Sequence, residues 1–72
     1  MSQNRISAKI YLRSEMVRRE VTYDELAARL ADKGTVLSSQ ALRSKVSRGS
    51  FTADLFLECL IAMGADKLRL SD

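Results

Sequence analysis

The sequence has no histidine, no proline and no tryptophan, and its single cysteine is Cys59. Without histidine, the chain lacks the most frequent general base and the commonest metal ligand. One thiol forms no disulfide within the chain, supplies too few ligands for a zinc site and is typical of a reducing compartment. These absences predict a binding protein that is not an enzyme and that uses no metal, no cofactor and no small-molecule substrate.

Long apolar runs are also missing. The longest apolar stretch, residues 55–63, contains Glu58 and is far shorter than the ~20 residues of a membrane-spanning helix. Residues 1–5 are not followed by the apolar segment of a secretory signal. The 72 residues suffice for one small domain, residues 1–72, and a chain of this size buries only ~60% of its unfolded surface. We therefore expect a single cytoplasmic domain that is stabilised by self-association and does not bind membranes.

Glycine occurs only at positions 34, 49 and 64, each time after a segment with helical apolar spacing. Glycine in this position commonly ends a helix. The pattern predicts an all-α fold of four helices, which run from about Asn4 or Ser7 to Glu20, from the N-cap Thr22 to Lys33, from Ser38 or Ser39 to Arg48, and from the N-cap Thr52 to Met63. Residues 67–70 alternate in polarity, which favours a short C-terminal strand.

The start of the second helix carries the strongest local signal. Thr22 and Glu25 have the spacing of a capping box, in which each side chain binds a backbone N–H of the other residue. Val21 and Leu26 have the spacing of the accompanying hydrophobic staple, and Phe51 has the same relation to Phe56 at the fourth helix. Leu26, Ala27 and Leu30 are the predicted buried stripe of the second helix.

Positive charge is unevenly distributed along the chain. The net charge is only +3, but residues 33–53 contain no Asp or Glu. A second basic group, formed by Arg5, Lys9 and Arg13, precedes Glu15. A polyanion such as nucleic acid is attracted by local clusters of positive charge more than by the net charge.

The third helix combines this charge with a narrow apolar stripe. Leu42 and Val46 are predicted to face the core, which turns Gln40, Ser44 and Ser47 outward. Side chains of this kind suit base edges, whereas basic residues at the flanks suit phosphates. The predicted DNA-binding residues are Ser38, Ser39, Gln40, Arg43, Ser44, Lys45, Ser47, Arg48, Lys33 and Tyr23, with Arg43, Gln40 and Ser44 on bases and Lys45, Arg48 and Lys33 on phosphates. The alternatives are a solvated basic face and, for Tyr23, a ring that covers the start of the second helix.

A capped helix, a short connection and a small basic helix follow one another in the order of a helix-turn-helix. Residues 22–30 resemble the "T-x-x-E-L-A-x-x-L" first helix of lambda-repressor-like (Cro-type) proteins, and the Ser-Arg-Gly at 47–49 resembles the end of their recognition helix. Residues 8–70 are similar to a family of small bacterial helix-turn-helix-like proteins with "V-T-Y-x-E-L-A-x-x-L", "N-K-x-x-R-G-x-F-S" and "A-x-G" segments. The chain departs from the Cro-type pattern in having Ala31 in place of glycine, a longer connection at 32–37, and an apolar pair spaced by four residues.

Surplus apolar surface points to a second copy of the chain. The first helix has one apolar set at Ile6, Ile10 and Val17 and another at Ala8, Leu12 and Met16, and the fourth helix is apolar on nearly every side. A domain this small cannot cover such helices completely. The predicted dimer interface consists of Ile6, Ile10, Leu57, Ile61, Leu68 and Leu70.

Together these patterns predict a homodimeric, nucleoid-associated transcriptional regulator that binds double-stranded DNA with its third helix in the major groove. The main alternative is a protein-interaction module of the same fold, which would dock another protein on the apolar faces of the first and fourth helices. RNA binding is a third possibility, but the four aromatic residues form no stacking cluster in the sequence.

Overall fold

The computed structural model describes residues 7–65, and within this range it contains four α-helices and no strand. These are α1 (Ala8–Arg18), α2 (Tyr23–Asp32), α3 (Ser39–Arg48) and α4 (Ala53–Ala62). The all-α fold predicted from the sequence is confirmed, whereas the expected strand at 67–70 lies outside the described residues. Within 7–65, no helix has the length and apolar character needed to cross a membrane.

Every helix begins at a hydroxyl residue whose oxygen accepts a backbone N–H three positions later. These N-caps are Ser7, Thr22, Ser38 and Thr52. At α2 the predicted capping box is present, because Thr22 N–H donates to Glu25 Oε1 at 3.1 Å and Glu25 N–H donates to Thr22 Oγ1 at 3.1 Å. Of the two candidates for α3, Ser38 is the N-cap and Ser39 is the first helical residue.

The four helices also end alike. In each case two successive N–H groups bind carbonyls of the last turn in the pattern of a Schellman motif. Gly34, Gly49 and Gly64 hold the left-handed position after α2, α3 and α4, but Glu20 holds it after α1 with φ = 55°. The prediction that the first helix continues to Glu20 is therefore wrong, since α1 ends at Arg18; its proposed start at Asn4 is outside the described residues, and Ser7 is the N-cap.

α1 and α2 lie between α3 and α4, and each of them contacts both. The core is one cluster, in which Leu12, Leu26, Leu30, Leu42, Val46 and Cys59 are the largest fully buried side chains. The predicted stripes of α2 and α3 are confirmed, and Leu37 of the connection packs half-buried against the same cluster. Burial of one such leucine contributes about 1.5–3 kcal/mol.

α1 and α4 lie side by side and run in the same direction. The Tyr11 ring meets the Phe56 ring edge-on with centroids 6.1 Å apart, and near the other end Arg19 Nη1 donates to the Met63 carbonyl at 3.2 Å. Phe56 also stacks on Phe51, with centroids 6.1 Å apart, so the predicted pairing of these two rings is confirmed.

A buried carboxylate ties the end of α1 to the end of α4. Glu15 accepts hydrogen bonds from Arg18 Nη1 at 3.1 Å and from Arg19 Nε at 2.8 Å, and the same Arg19 reaches Met63. Arg29 Nη1 donates to the neighbouring Ala62 carbonyl at 3.4 Å. Two guanidinium groups thus cover the carbonyl end of α4, where positive charge is favourable.

The apolar residues of α1 and α4 are only partly covered. Leu12 and Met16 are buried, but Ile10 and Val17 are 64% and 77% exposed, and Ala8 is also exposed. On α4, Leu57 and Ile61 are 46% and 59% exposed. The chain therefore covers one side of α4 and leaves the other uncovered, as its small size predicts.

Candidate nucleic-acid interface

The orientation of α3 is determined by two side chains. Leu42 and Val46 are buried to 0% and 1% exposure, so the opposite side of this helix faces solvent. The exposed residues of α3 are Gln40, Arg43, Ser44, Ser47 and Arg48, and Ser39 and Lys45 are half-buried at the flanks. The outward placement predicted for Gln40, Ser44 and Ser47 is confirmed.

Both ends of α3 are closed by local hydrogen bonds. The Ser38 hydroxyl accepts the Ala41 N–H at 3.0 Å, and Gly49 ends the helix in the left-handed conformation. The connection from α2 spans residues 33–38 and is joined to α4, because Thr35 Oγ1 donates to Glu58 Oε1 at 2.8 Å. Exposed Lys33 is the C-cap of α2 at the start of this connection.

Tyr23 contacts the side chain of Arg43. The Arg43 guanidinium carbon is 5.1 Å from the centroid of the Tyr23 ring, in a cation–π arrangement. The ring is half-buried and packs against the core, which is the covering role considered for this residue. The first residue of α2 therefore supports a basic side chain in the middle of α3.

Arg13 of α1 reaches the same surface. One groove between α1, the start of α2 and α3 is lined by Arg13, Met16, Val17, Glu20, Val21, Thr22, Tyr23 and Arg43. Its two arginines come from the two basic groups of the sequence, and Glu20 is the one acidic residue among its lining residues. Arg13 was absent from the predicted site.

Lys9 extends this surface to the other end of α3. The Cβ position of Gly49 is 3.9 Å from Lys9 Cδ, so the lysine stem passes beside the C-terminus of α3. A cation is favourable at this end of a helix. The spacing of Lys9 and Arg13 by four residues places them on one side of α1, and this spacing, together with the acid-free residues 33–53, was the only available signal that the two basic groups meet. We call Lys9, Arg13 and Arg43 the basic surface; Lys45 and Arg48 are the other basic residues of α3.

Two further observations concern metal ligands and the single thiol. The described residues contain no cluster of three or more His, Cys, Asp or Glu side chains that could hold a metal ion. Cys59 is fully buried on α4, and burial together with the nearby Glu58 charge raises the pKa of its thiol to about 11. A thiol with that pKa stays protonated at neutral pH and is a poor nucleophile.

The predicted dimer residues fall into two groups. Ile10, Leu57 and Ile61 are exposed on α1 and α4, in agreement with an interface role. Ile6, Leu68 and Leu70 lie outside the described residues.

Comparison with known families gives one match. Residues 5–68 match the family model described as domain of unknown function DUF6471, and the chain therefore belongs to this family. No curated protein and no solved structure matches the chain.

Proposed function

We propose that this chain is a helix-turn-helix domain that binds double-stranded DNA as a homodimer and acts as a small transcriptional regulator. The observation that supports this most strongly is the meeting of two basic groups on one surface. Arg13 of α1 lines one groove with Arg43 of α3, and the stem of Lys9 passes beside the C-terminus of α3. Basic residues clustered on one face are the electrostatic signature of a nucleic-acid-binding domain.

α3 is the element that enters the major groove. Its outward side carries Arg43, Gln40 and Ser44, which donate to and accept from base edges. It is ten residues long, and its core side is covered by α1 and α2, so it presents a rigid and narrow polar face. The resemblance of residues 22–30 and 47–49 to Cro-type proteins supports the same docking mode.

Phosphate contacts surround this helix. Lys45 and Lys33 contact the phosphates as point charges and Arg48 as a fork, and Lys9 adds a further contact from α1. Arg13 lines the same groove as Arg43 and adds positive charge beside it. Ser38, Ser39 and Ser47 are short hydroxyl donors at the two ends of α3. Tyr23 positions the Arg43 guanidinium through the cation–π contact at 5.1 Å.

A dimer contacts a longer stretch of DNA than one small domain can. Two copies related by a two-fold axis present two α3 helices, and these bind half-sites about one helical turn apart. The exposed apolar residues of α1 and α4 are available for the contact between copies.

The test compares two single neutralisations with a matched control. Arg43→Gln removes a base contact, so affinity for the selected site falls by about 1–3 kcal/mol and discrimination at one base pair is lost. Lys45→Gln removes one phosphate contact from each protomer, so binding weakens equally on all sequences and the salt slope of the dimer falls by about two. Ala28→Glu changes the net charge by the same amount on the exposed side of α2 and leaves the salt slope and base discrimination unchanged.

The protein-interaction alternative rests on the exposed Ile10, Val17, Leu57 and Ile61. It requires no role for the basic surface. If Arg43→Gln and Lys45→Gln fold normally and no duplex binds the wild type, this alternative replaces the proposal.

A further inference from the structure

Two exposed apolar strips lie on neighbouring helices. The α1 strip consists of Ile10, Arg13, Ser14, Val17 and Arg18, which together line a shallow groove on the outer side of α1. The α4 strip consists of Asp54, Leu57 and Ile61, which are all exposed and share one side of α4 by their spacing of three and four residues.

The charges of the two strips are opposite. The α1 strip holds exposed Arg13, and also Arg18, which is paired with Glu15 at 3.1 Å. The α4 strip holds one exposed carboxylate, Asp54, and the adjacent Glu58 is already bonded to Thr35. A strip of either kind repels its own copy through like charges, whereas it attracts the other strip.

The two strips also have the same length and lie at the same position along the helix axes. Val17 is seven positions after Ile10 and Ile61 is seven positions after Asp54, so each strip extends over about 10.5 Å of helix. Because Tyr11 is beside Phe56 and Arg19 is beside Met63, Val17 is level with Ile61 along the two parallel helices.

From this complementarity we propose that a second copy of the chain covers both strips at once, with the α1 strip of each protomer on the α4 strip of its partner. This specifies the homodimer on which the proposed function rests. A two-fold axis parallel to α1 and α4 produces this pairing. The rotation leaves the position of each residue along the helix axes unchanged, and it places α1 of one protomer opposite α4 of the other. Val17 then packs on Ile61 of the other protomer, and Arg13 reaches Asp54.

The reciprocal arrangement doubles the contact between the two copies. A stable interface buries about 800 Å² on each partner, which is about a sixth of the 5107 Å² that this chain exposes. The two-fold axis makes the strip-on-strip contact twice, so that each protomer contributes both of its strips. Neither strip contains a residue of α3, so exposed Gln40 and Ser44 on the outward side of that helix stay outside this contact.

The experiment measures the mass of the full chain by sedimentation equilibrium without DNA. The wild type sediments at twice the 8.1 kDa chain mass. Val17→Glu places an acid opposite the acidic α4 strip, and Ile61→Lys places a base opposite the basic α1 strip, so each variant alone sediments as a monomer. Mixing the two variants restores a dimer, because one strip pair is intact and Lys faces Glu in the other.

Other arrangements give different results. If α1 paired with α1, Ile61→Lys would remain dimeric, and if α4 paired with α4, Val17→Glu would remain dimeric; either result overturns the proposal. A monomeric wild type at millimolar concentration overturns it as well. Because no DNA is present, these results are independent of whether the basic surface binds a duplex.

Control variants separate disruption of the strips from unfolding. Val36 is 82% exposed in the connection between α2 and α3, so Val36→Lys carries the same kind of change outside both strips and remains dimeric. Circular dichroism checks the helix content of every variant. Ile10→Glu and Leu57→Lys form a second pair with the same expected results, should either member of the first pair fail to fold.

Discussion

The Arg43 guanidinium carbon lies 5.1 Å from the centroid of the Tyr23 ring, which joins the first residue of α2 to the centre of α3. The ring is held in turn by the core. Arg43 is therefore restricted before any ligand arrives, and a side chain ordered in advance loses less conformational entropy on binding.

Replacement of Tyr23 tests this restriction. Tyr23→Leu removes the aromatic face and keeps an apolar side chain, so the cation–π contribution of about 0.5–1 kcal/mol is lost. We expect DNA affinity to fall about two- to fivefold, as measured by fluorescence anisotropy. Tyr23→Phe keeps the ring and binds like the wild type. A loss of affinity in the Phe variant instead assigns the role to the hydroxyl group.

Glu20 offers a test of backbone strain. It is the one non-glycine residue with positive φ among residues 7–65, at 55°, and it occupies the position that glycine holds after the other helices. Glu20→Gly is expected to raise the free energy of unfolding by up to about 1 kcal/mol, because a left-handed residue with a Cβ costs about 1–2 kcal/mol and glycine also adds entropy to the unfolded chain.

The matched variant is Gly49→Ala, which introduces a Cβ at φ = 68° with no atom closer than 3.9 Å. Space is sufficient, so the expected loss of about 1–2 kcal/mol comes from the backbone alone. Urea denaturation measures both changes. Equal stability of all three proteins would contradict the assignment of strain.

Most of the fold could be predicted because its determinants are local. Thr22 and Glu25 need only each other and their own backbone to start α2, and Gly49 ends α3 by its own conformational preference. The end of α1 was missed for the same reason, since Glu20 is not a residue type that signals a left-handed turn. Its conformation depends on Val21, whose N–H bonds to Met16 and whose side chain enters the core.

The arginine pair at the end of α1 has unequal roles. Arg19 Nε bonds to buried Glu15 at 2.8 Å and its Nη1 bonds to the Met63 carbonyl, whereas Arg18 reaches only Glu15 and has a side chain that is 61% exposed. We expect Arg19→Ala to lower the free energy of unfolding by about 1–3 kcal/mol. Arg18→Ala lowers it by about 0–1 kcal/mol. Thermal denaturation measures both losses of stability. A larger loss for Arg18→Ala than for Arg19→Ala would contradict the contact pattern.

The raised pKa of the Cys59 thiol predicts that stability depends on pH. In the unfolded chain the thiol pKa is near its ordinary value of 9.0, and in the folded chain burial raises the pKa to about 11. The unfolded state therefore loses its proton first, so stability is unaffected below about pH 9 and falls as the pH rises from 9 to about 11. Cys59→Ala removes this contribution, and its free energy of unfolding declines less over the same range. Parallel curves for the two proteins would contradict the prediction.

The candidate site was only partly predictable. The outward side of α3 follows from Leu42 and Val46, which are neighbours on one helix. The approach of Lys9 to Gly49 and of Arg13 to Arg43 depends on how α1 packs across α3, and no local pattern contains that angle. The candidate site is therefore larger than its sequence-based version, and it includes α1.

The most direct test of the central claim is a salt titration of DNA binding. Fluorescence anisotropy of a mixed-sequence duplex is measured at several salt concentrations. If each protomer places about three of its basic side chains on phosphates, the logarithm of the binding constant falls with a slope near −5 for a dimer. The variant Lys9→Gln shows a shallower slope, since Lys9 supplies the phosphate contact from α1. Flat anisotropy at low salt, with the protein folded, would contradict DNA binding.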